Sequence, residues 1–369
     1  MRQSPANTET AVLAKDLSVS YGGHKALDIP SLGIFRNEVL VVIGPNGSGK
    51  TTLLLCLTRL ANPETGTVSF NGVPVQDSKS VLRLHRTLAV VFQESLLLSS
   101  SVWDNVTLGL RLRNIKGEEA RTRGVKWLER FGIAHLVKRQ ARTLSSGEAK
   151  RVSLARAFAL QPEVLFMDEP FTALDSPTRQ ALLEDFENVL NETRTTTVMV
   201  THDRNEALAL ADRVAVLMNG RIAQIGTPAE VFSSPVDEEV AGFVEAGNIL
   251  RGVVAAQSGG LASIRINNHH LEASSDLAAG TDVIVVLPFD DVTVMLPSPE
   301  KMTTSARNRF PGEVTRVFPS GSQVRVTIDC GFPLAALVTR RSAEEMGLKK
   351  GTPVLAAFKA VSTRVIKRH

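Results

Sequence analysis

The chain has 369 residues, of which 43% are hydrophobic and 22% charged, and its net charge is +4. This length and composition predict a globular protein with a sizeable core and two or three domains. No apolar run approaches the roughly 18 residues that a membrane-spanning helix needs, and the start MRQSPANTET lacks the features of a secretory signal, so we expect any membrane role to be peripheral.

Residues 11–247 alternate short β-rich runs with helical stretches, the pattern of an α/β domain with a mainly parallel sheet. Ligands bind at the carboxyl ends of such strands, and three of these runs end directly in polar residues. The clearest predicted strands are Leu40–Ile43, Leu88–Phe92, Val164–Met167, Val198–Thr201 and Val214–Met218. Between about residues 94 and 160 the pattern is mostly helical, which predicts a helical subdomain inserted into a first domain of residues 1–247.

After Gly247 the chain changes to short alternating strands joined by Gly-rich turns, which is typical of small all-β, OB-like domains. This region repeats, because the turns at Gly280 and Gly351 hold the same place in two units. We predict a first unit of residues 248–300 and a second of residues 301–369, joined by the linker LPSPEKMTTSARN.

Charge and cysteines add two expectations. Residues 301–369 carry 13 Lys and Arg against 4 Asp and Glu, whereas residues 248–300 carry 2 against 6. A positive excess within a strand-like pattern makes a small anionic ligand worth considering for the second unit. Cys56 and Cys330 lie in different predicted domains, which favours free thiols in a reducing cytoplasm over a disulfide.

The segment from Gly44 to Thr51 matches the P-loop pattern between the strand VLVVI and the helix-like TLLLCL. Its glycines let backbone N–H groups face phosphates, Lys50 reaches the β and γ phosphates, and Thr51 ligates Mg²⁺. The predicted nucleotide contacts here are Gly44, Asn46, Gly47, Gly49, Lys50, Thr51 and Thr52.

The run VLFMDE delivers two carboxylates from a buried strand, Asp168 and Glu169. We expect Asp168 to hold the metal ion and Glu169 to be the general base that polarises the attacking water. An Asp-Glu pair can end a surface strand by chance, but not readily in register with a P-loop.

With the P-loop in place, the segment LSSGEAKR at Leu144–Arg151, shortly before VLFMDEP, resembles the signature of the ABC ATPase family. The resemblance covers nearly all of residues 11–247 and includes Gln93, Asp175 and His202. It implies that His202 contacts the γ-phosphate, and that Gln93 links Mg²⁺ and the attacking water to the helical subdomain. ATP and Mg²⁺ are the implied cofactors, and Asp175 is among the implied ATP-binding residues.

The same resemblance implies a head-to-tail dimer, in which Ser145 and Gly147 of one chain cap the γ-phosphate held by the other chain. Tyr21 is similar to the aromatic residue on which adenine stacks, although it can also be a half-buried aromatic. Two departures stand in the signature, where Ser146 replaces a glycine and Glu148 a glutamine. If the φ angle of Ser146 is positive, strain of about 1 kcal/mol results, and we expect reduced turnover.

The segment Ser305–Asn308, followed by FPGEV, VTRRSAEEMGL and AFKAV, resembles the oxyanion-binding Mop domain of molybdate and tungstate proteins over roughly residues 303–366. In that family the site residues converge between subunits. The alternative is a strand-entry turn with a solvated lysine. The oxyanion residues implied by the resemblance are Ser305, Arg307, Thr339, Ser342 and Lys359.

The first repeat places Pro288 where the second has Lys359, with Asp290 and Asp291 just beyond. Acidic residues repel an oxyanion, so we predict no anion site in residues 248–296.

The favoured interpretation is the ATPase subunit of a molybdate or tungstate importer, in which oxyanion at the C-terminal domain inhibits turnover. The implied assembly has two ATPase copies and two permease subunits at the cytoplasmic face of the membrane, fed by an extracytoplasmic binding protein, with no nucleic acid. One alternative is an importer ATPase for a sugar, sulfate or iron, whose C-terminal domain serves dimerisation or regulation. Others are a soluble ABC ATPase of translation or DNA repair and a stand-alone oxyanion-binding module.

Overall fold

The computed structural model describes residues 9–297 and 304–368. It divides into two compact units, residues 1–228 and 229–369. The domain boundary at residue 247 stays a prediction, and most of the predicted linker lies outside the described residues. No helix among the described residues is long and apolar enough to cross a membrane.

The strands of the first unit form two sheets. The smaller sheet is antiparallel in the order β2-β1-β4-β5, and the larger has the order β10-β9-β3-β8-β7-β6. Their bounds are β1 (Thr10–Tyr21), β2 (His24–Phe35), β3 (Val39–Ile43), β4 (Thr65–Phe70), β5 (Val73–Pro74), β6 (Leu88–Val91), β7 (Val164–Asp168), β8 (Thr196–Thr201), β9 (Arg213–Met218) and β10 (Arg221–Gly226).

All five strands predicted in this unit are confirmed, and β9, β3, β8, β7 and β6 run parallel to one another, whereas β10 pairs antiparallel with β9. Strands β3, β7 and β8 are buried along their whole length, as apolar runs of a covered parallel sheet require. The helices are α1 (Lys50–Leu57), α2 (Ser78–Thr87), α3 (Val102–Leu112), α4 (Gly117–Arg130), α5 (Ser146–Ala159), α6 (Ser176–Thr193) and α7 (Arg204–Leu210).

Helices α3, α4 and α5 form the inserted helical subdomain that the sequence predicts. Its core is aromatic. The rings of Trp127 and Phe158 lie 4.8 Å apart, and Phe131 and Phe158 lie 6.0 Å apart. Phe158 also contacts Phe186 of α6 at 6.1 Å, so this cluster joins the subdomain to a helix of the sheet domain.

The second unit contains two five-stranded antiparallel sheets. Its helices are α8 (Pro228–Ser233), which begins at the boundary, α9 (Glu238–Phe243) and α10 (Arg340–Glu345). Its strands are β11 (Asn248–Ser258), β12 (Leu261–Ile266), β13 (His269–Ser274), β14 (Asp282–Leu287), β15 (Thr293–Met295), β16 (Asn308–Ser320), β17 (Gln323–Asp329), β18 (Pro333–Thr339), β19 (Pro353–Phe358) and β20 (Arg364–Lys367).

The two repeats exchange their last strands. The first sheet has the order β13-β12-β11-β14-β20, and the second has the order β15-β19-β16-β17-β18. Strand β20 of the second repeat therefore completes the first sheet, and β15 of the first repeat completes the second. One core of buried side chains contains residues of both repeats, so the repeats form a single folded body.

Equivalent hydrogen bonds confirm the internal repeat. Gly280 N–H donates to the Val254 carbonyl, and Gly351 N–H donates to the Val314 carbonyl, each at 2.8 Å. The Asn248 side chain bonds the backbone of Ala335, and the equivalent Asn308 side chain bonds the backbone of Glu272. Each asparagine thus binds the opposite repeat.

Both cysteines are buried and free, as predicted. Burial raises the pKa of each thiol to about 11, so both stay protonated at neutral pH.

Candidate active site

The P-loop connects the end of β3 to the start of α1. Gly47 and Gly49 have φ angles of 81° and 102°, the left-handed region that favours glycine. A Cβ atom on Gly44 would lie 2.2 Å from the Leu217 carbonyl oxygen, so the backbones approach too closely for a side chain. The loop therefore presents its backbone N–H groups at the positive end of α1, which suits phosphate.

The ammonium group of Lys50 lies inside this loop. It donates hydrogen bonds to the carbonyls of Gly44 at 2.8 Å and Pro45 at 3.0 Å. Burial lowers the pKa of Lys50, an effect that the carboxylates of Glu169 and Asp168 oppose. The cation of Lys50 is thus held at the place where the P-loop would enclose the phosphates of a nucleotide.

Two oxygen donors stand beside the P-loop. The Thr51 hydroxyl donates to Asp168 Oδ1 at 3.2 Å, joining the start of α1 to the end of β7. Burial raises the pKa of Asp168, while the Thr51 hydrogen bond opposes the shift. A hydroxyl next to a buried carboxylate is a donor set that fits a hard divalent cation.

Glu169 and His202, predicted as catalytic residues, are in direct contact. His202 Nδ1 lies 2.6 Å from Glu169 Oε2, and the Thr172 hydroxyl donates to the same oxygen at 2.9 Å. Glu169 has a φ of 45°, and its N–H donates to the Val200 carbonyl at 2.9 Å. This left-handed backbone, unusual for a residue with a side chain, turns the carboxylate out of β7.

Sheet order explains why these groups meet. Strands β6, β7, β8 and β3 are consecutive neighbours, and their carboxyl ends lead to Gln93, Asp168, His202 and the P-loop respectively. Since parallel strands end at one edge of a sheet, these residues lie along that edge. The arrangement combines a phosphate cradle, a cation site and a carboxylate base, which are the parts that phosphoryl transfer to water requires.

Family models match two parts of the chain, the "ABC transporter" model over residues 27–172 and the "TOBE domain" model over residues 304–365. A full-length relative is the molybdate/tungstate import ATP-binding protein WtpC of Pyrococcus abyssi. It is 37% identical over 354 residues, covering 95% of this chain and 98% of the relative. The chain belongs to the ABC transporter ATPases. It binds ATP, and its hydrolysis of ATP is coupled to transport.

Two further proteins are similar to this ABC ATPase. The sulfate/thiosulfate import ATP-binding protein CysA of Mycobacterium bovis is 33% identical over 350 residues, covering 93% of this chain and 91% of the relative. The solved dimeric structure of MJ0796, a bacterial ABC transporter cassette, is 28% identical with a TM-score of 0.55. It covers 59% of this chain and 98% of that chain.

The loop that carries Gln93 is held by a side chain that the sequence interpretation missed. Lys150 of α5 is only 6% exposed, and its ammonium donates to the Gln93 carbonyl and, at 3.4 Å, to the Phe92 carbonyl. Burial lowers the pKa of Lys150, and Asp168 and Glu94 oppose this. Nothing in LSSGEAKR marks Lys150 as buried, because a lysine in a polar motif is usually solvated.

Two more residues of α5 extend this contact. The Ser153 hydroxyl donates to the Ser95 carbonyl at 3.2 Å, and Arg156 donates to the Ser95 and Leu96 carbonyls at 3.0 and 2.9 Å. Positions 150, 153 and 156 lie on one helix face. Hydrogen-bond donors at these three positions are the sequence signal that could have predicted the contact between α5 and the Gln93 loop. In this ABC ATPase, hydrogen bonds from α5, the helix that begins in the signature, therefore hold the loop that carries Gln93.

The signature begins α5 with a capping box. Ser145 Oγ accepts from the Glu148 N–H at 3.3 Å, and Glu148 Oε2 accepts from the Ser145 N–H at 2.7 Å. That backbone hydrogen bond lowers the pKa of Glu148. Ser146 is the first helical residue and does not have a positive φ. The strain anticipated for Ser146 is therefore wrong, and Glu148 supports the helix terminus.

The other predicted ATP-site residues belong to segments outside the P-loop. A Cβ atom on Gly147 would lie 2.7 Å from Thr178 Cγ2, so the signature packs on the first turn of α6. Asp175 is the N-cap of that helix and accepts from the Thr178 N–H at 3.0 Å. Tyr21, the last residue of β1, is 59% exposed and leaves its ring accessible.

The five predicted oxyanion residues fall into two separate groups. Because Asn308 pairs with Phe358, Arg307 and Lys359 lie at one end of the second sheet, together with Ser305. Thr339 pairs with Gln323, which pairs with the far end of β16. The groups are separated by about 40 Å along this strand at about 3.3 Å per residue. One chain alone does not bring them together.

Each group also has a structural partner in the chain. Arg307 forms an ion pair with Glu272 of the first repeat. Thr339 is the N-cap of α10, where its hydroxyl accepts from the Ser342 N–H at 3.1 Å and contacts the Ser342 hydroxyl at 2.8 Å. Lys359 is exposed.

Glu206, in the helix α7 that follows His202, gives a pH-dependent prediction. It is 3% exposed, and its carboxylate accepts from the Thr201 hydroxyl at 2.7 Å. Burial raises its pKa from 4.5 to about 7. The folded protein therefore holds this proton more tightly than the unfolded chain, so the stabilisation is complete below pH 4.5 and is lost as the pH rises through 7.

We expect the Glu206→Gln variant to unfold with a free energy about 3 kcal/mol higher than the parent at pH 8, and with no difference near pH 4.5. Urea unfolding followed by circular dichroism at both pH values measures this. Glu129→Gln, an exposed change on α4, is the control. A constant difference at both pH values would contradict the assignment.

Proposed function

We propose that this ABC ATPase drives the import of molybdate or tungstate. The observation that carries the proposal is the match to the molybdate/tungstate relative over 95% of the chain, which includes the C-terminal domain with Ser305–Asn308. The imported ion is a tetrahedral dianion, which hydroxyl groups, amides and a few cations recognise. The protein would act at the cytoplasmic face of the membrane, fed by an extracytoplasmic binding protein.

Two copies would form the working ATPase. Within one chain Gly147 of the signature packs on the first turn of α6, whereas the P-loop lies at the end of β3. The positive end of α5 is therefore available to cap the γ-phosphate that a second copy holds. The dimeric structure of the similar cassette MJ0796 supports this arrangement. ATP binding would close the dimer, and hydrolysis would reopen it.

Magnesium would be held by Thr51 and Asp168, with Gln93 reaching toward it from the adjacent strand end. When bound, the ion neutralises phosphate charge. Lys50 would bind the β and γ phosphates, Glu169 would accept the proton of the attacking water, and His202 would orient Glu169 and contact the γ-phosphate.

The permease subunits would contact the apolar groove beside the Gln93 loop. This cavity of about 560 Å³ is lined by residues of α2, β6, α3 and α5. Leu96, Leu82 and Leu112 on its border are 57%, 54% and 74% exposed. Exposed leucines around a groove are typical of a protein interface, and α5 joins this groove to the signature.

The C-terminal domain would bind the imported oxyanion and inhibit turnover by favouring one state of the dimer. Ser305, Arg307 and Lys359 of one copy would meet Thr339 and Ser342 of the other, which accounts for their separation within a chain. Binding requires that the anion displace Glu272 from Arg307.

A sulfate importer is the second candidate, because a sulfate/thiosulfate relative matches nearly as much of the chain at 33% identity. The Arg307–Glu272 pair fits a C-terminal domain that serves dimerisation and not oxyanion binding, since an arginine already neutralised by a carboxylate binds an anion less well.

Calorimetry with tungstate, molybdate and sulfate, with and without ATP, tests the cargo class. We expect tungstate and molybdate to bind at least about tenfold more tightly than sulfate. The Arg307→Ala/Lys359→Ala double variant should lose this binding and the oxyanion inhibition of ATPase activity, whereas the control Arg364→Ala/Lys367→Ala should retain both. Unchanged inhibition in the first variant would refute the regulatory site, and preference for sulfate would favour the second candidate.

A further inference from the structure

A cavity of about 500 Å³ lies in the second unit, between the two repeats. One side is formed by Gly247, Asn248 and Phe289, close to the ends of β11 and β14 in the first repeat. The other side is a sheet face of the second repeat that presents Arg316 and Arg325. Its volume is in the range of small-molecule sites, and none of its lining residues is acidic.

The two arginines share one face of the sheet. Phe318 pairs with Arg325, and Arg316 pairs with Thr327 on the neighbouring strand. Val324 and Val326 point into the core, so the arginines point away from it. Diagonal neighbours of this kind lie about 7–8 Å apart. Two cationic side chains on diagonal neighbours repel each other, and an anion between them would offset that repulsion.

Among the described residues, the only side-chain partners of the two guanidinium groups are aromatic rings. The Arg325 guanidinium carbon lies 3.9 Å from the Phe289 ring centroid, and that of Arg316 lies 5.4 Å from the Phe318 centroid. A guanidinium that stacks on a ring keeps its N–H edges available for an oxyanion. Asp290 and Asp291 follow Phe289 along the chain, but neither lines the cavity.

The other repeat shows that the fold itself does not require these residues. Equivalent strand pairing, including the same bulge, places Ala256 at the position of Arg316 and Leu261 at the position of Arg325. Both cations are therefore additions to the second repeat.

One residue that lines the cavity, Gly247, is a glycine because the backbone packs closely there. Gly247 stands where the second repeat has Arg307, one residue before the equivalent Asn248 and Asn308. A Cβ atom on Gly247 would lie 2.1 Å from the Leu287 carbonyl oxygen, so a side chain does not fit there. The first repeat therefore places closely packed backbone, and no cationic side chain, where the second repeat has Arg307.

We infer that this cavity binds a tetrahedral oxyanion group between Arg316 and Arg325. The group belongs either to a free inorganic ion or to a larger organic phosphate, whose apolar part would contact Phe318. The prediction that residues 248–296 form no anion site does not argue against this site, because both of its arginines belong to the second repeat. The site is independent of the imported ion and separate from Ser305, Arg307 and Lys359.

Calorimetry of the full chain tests the site, with ADP and Mg²⁺ saturating so that the P-loop is filled. The probes are inorganic phosphate, tungstate and phenyl phosphate. We expect one binding event that the Arg316→Gln/Arg325→Gln variant weakens at least about tenfold. The control Arg364→Gln/Lys367→Gln makes the same charge change on β20 and should bind as the parent does.

Phe318→Ala separates the two sources of the oxyanion. Weaker binding of phenyl phosphate alone identifies an organic phosphate, and equal binding of all probes identifies the free ion. Absence of binding by every probe, or binding unchanged in the Arg316→Gln/Arg325→Gln variant, would overturn the inference. Binding lost only in the Arg307→Ala/Lys359→Ala variant would also overturn it while supporting the regulatory site proposed above.

Discussion

Glu169→Gln is expected to lower the kcat of ATP hydrolysis at least about 100-fold, because an amide cannot accept the proton of the attacking water. Glutamine keeps the size of the side chain and can still bond Thr172 and His202, which contact Glu169 at 2.9 and 2.6 Å. Binding should persist, so the KM for ATP should change less than about threefold. Steady-state phosphate release by the purified protein measures both quantities.

The matched control is Glu163→Gln. Glu163 is exposed and directly precedes the same strand, at the end opposite to Glu169, where it bonds Asn71 at 2.9 Å. Its turnover should equal that of the parent. A Glu169→Gln variant that kept more than about a tenth of parental kcat would exclude Glu169 as the general base.

The edge of the large sheet was predictable because its signals are local. VLVVI, VLFMD and TTVMVT are apolar runs followed by the P-loop, Glu169 and His202, and parallel strands must end together. The backbone of Glu169 was not predictable. Its φ of 45° is imposed by the hydrogen bond to Val200 of the neighbouring strand, which is a tertiary contact.

The C-terminal domain was less predictable, because its arrangement depends on contacts between distant segments. The repeat was visible in Gly280 and Gly351, yet the exchange of β15 and β20 was not, because short alternating strands do not specify their partners. The cavity with Arg316 and Arg325 was not predictable from either repeat alone, because residues of both repeats line it. The Glu272 partner of Arg307 was hidden for the same reason, since it lies on the opposite repeat.

The contact that Lys150 makes was the least predictable from the motif pattern. A buried lysine is costly unless its donors are satisfied, and here they bind the carbonyls of Phe92 and Gln93. This places a cation directly under the loop that carries Gln93 and close enough to Asp168 to influence its pKa. Lys150 therefore positions the Gln93 loop relative to the residues of the metal site.

Lys150→Met keeps the length of the side chain and removes its hydrogen-bond donors. Leaving the Gln93 and Phe92 carbonyls without this partner costs about 1–3 kcal/mol, and we expect the loop to move away from the metal site. The kcat should fall about tenfold or more with a KM for ATP within about threefold. Lys150→Gln, which retains an N–H donor, should recover part of the lost turnover.

Lys138→Met on the exposed face of the same subdomain is the control and should keep parental kcat. The decisive comparison is between kcat and melting temperature across the three variants. If Lys150→Gln and Lys150→Met differed in melting temperature but had the same kcat at a temperature where both are folded, Lys150 would only support the fold. Turnover that recovers with the donor, at equal stability, would place Lys150 in the control of the Gln93 loop.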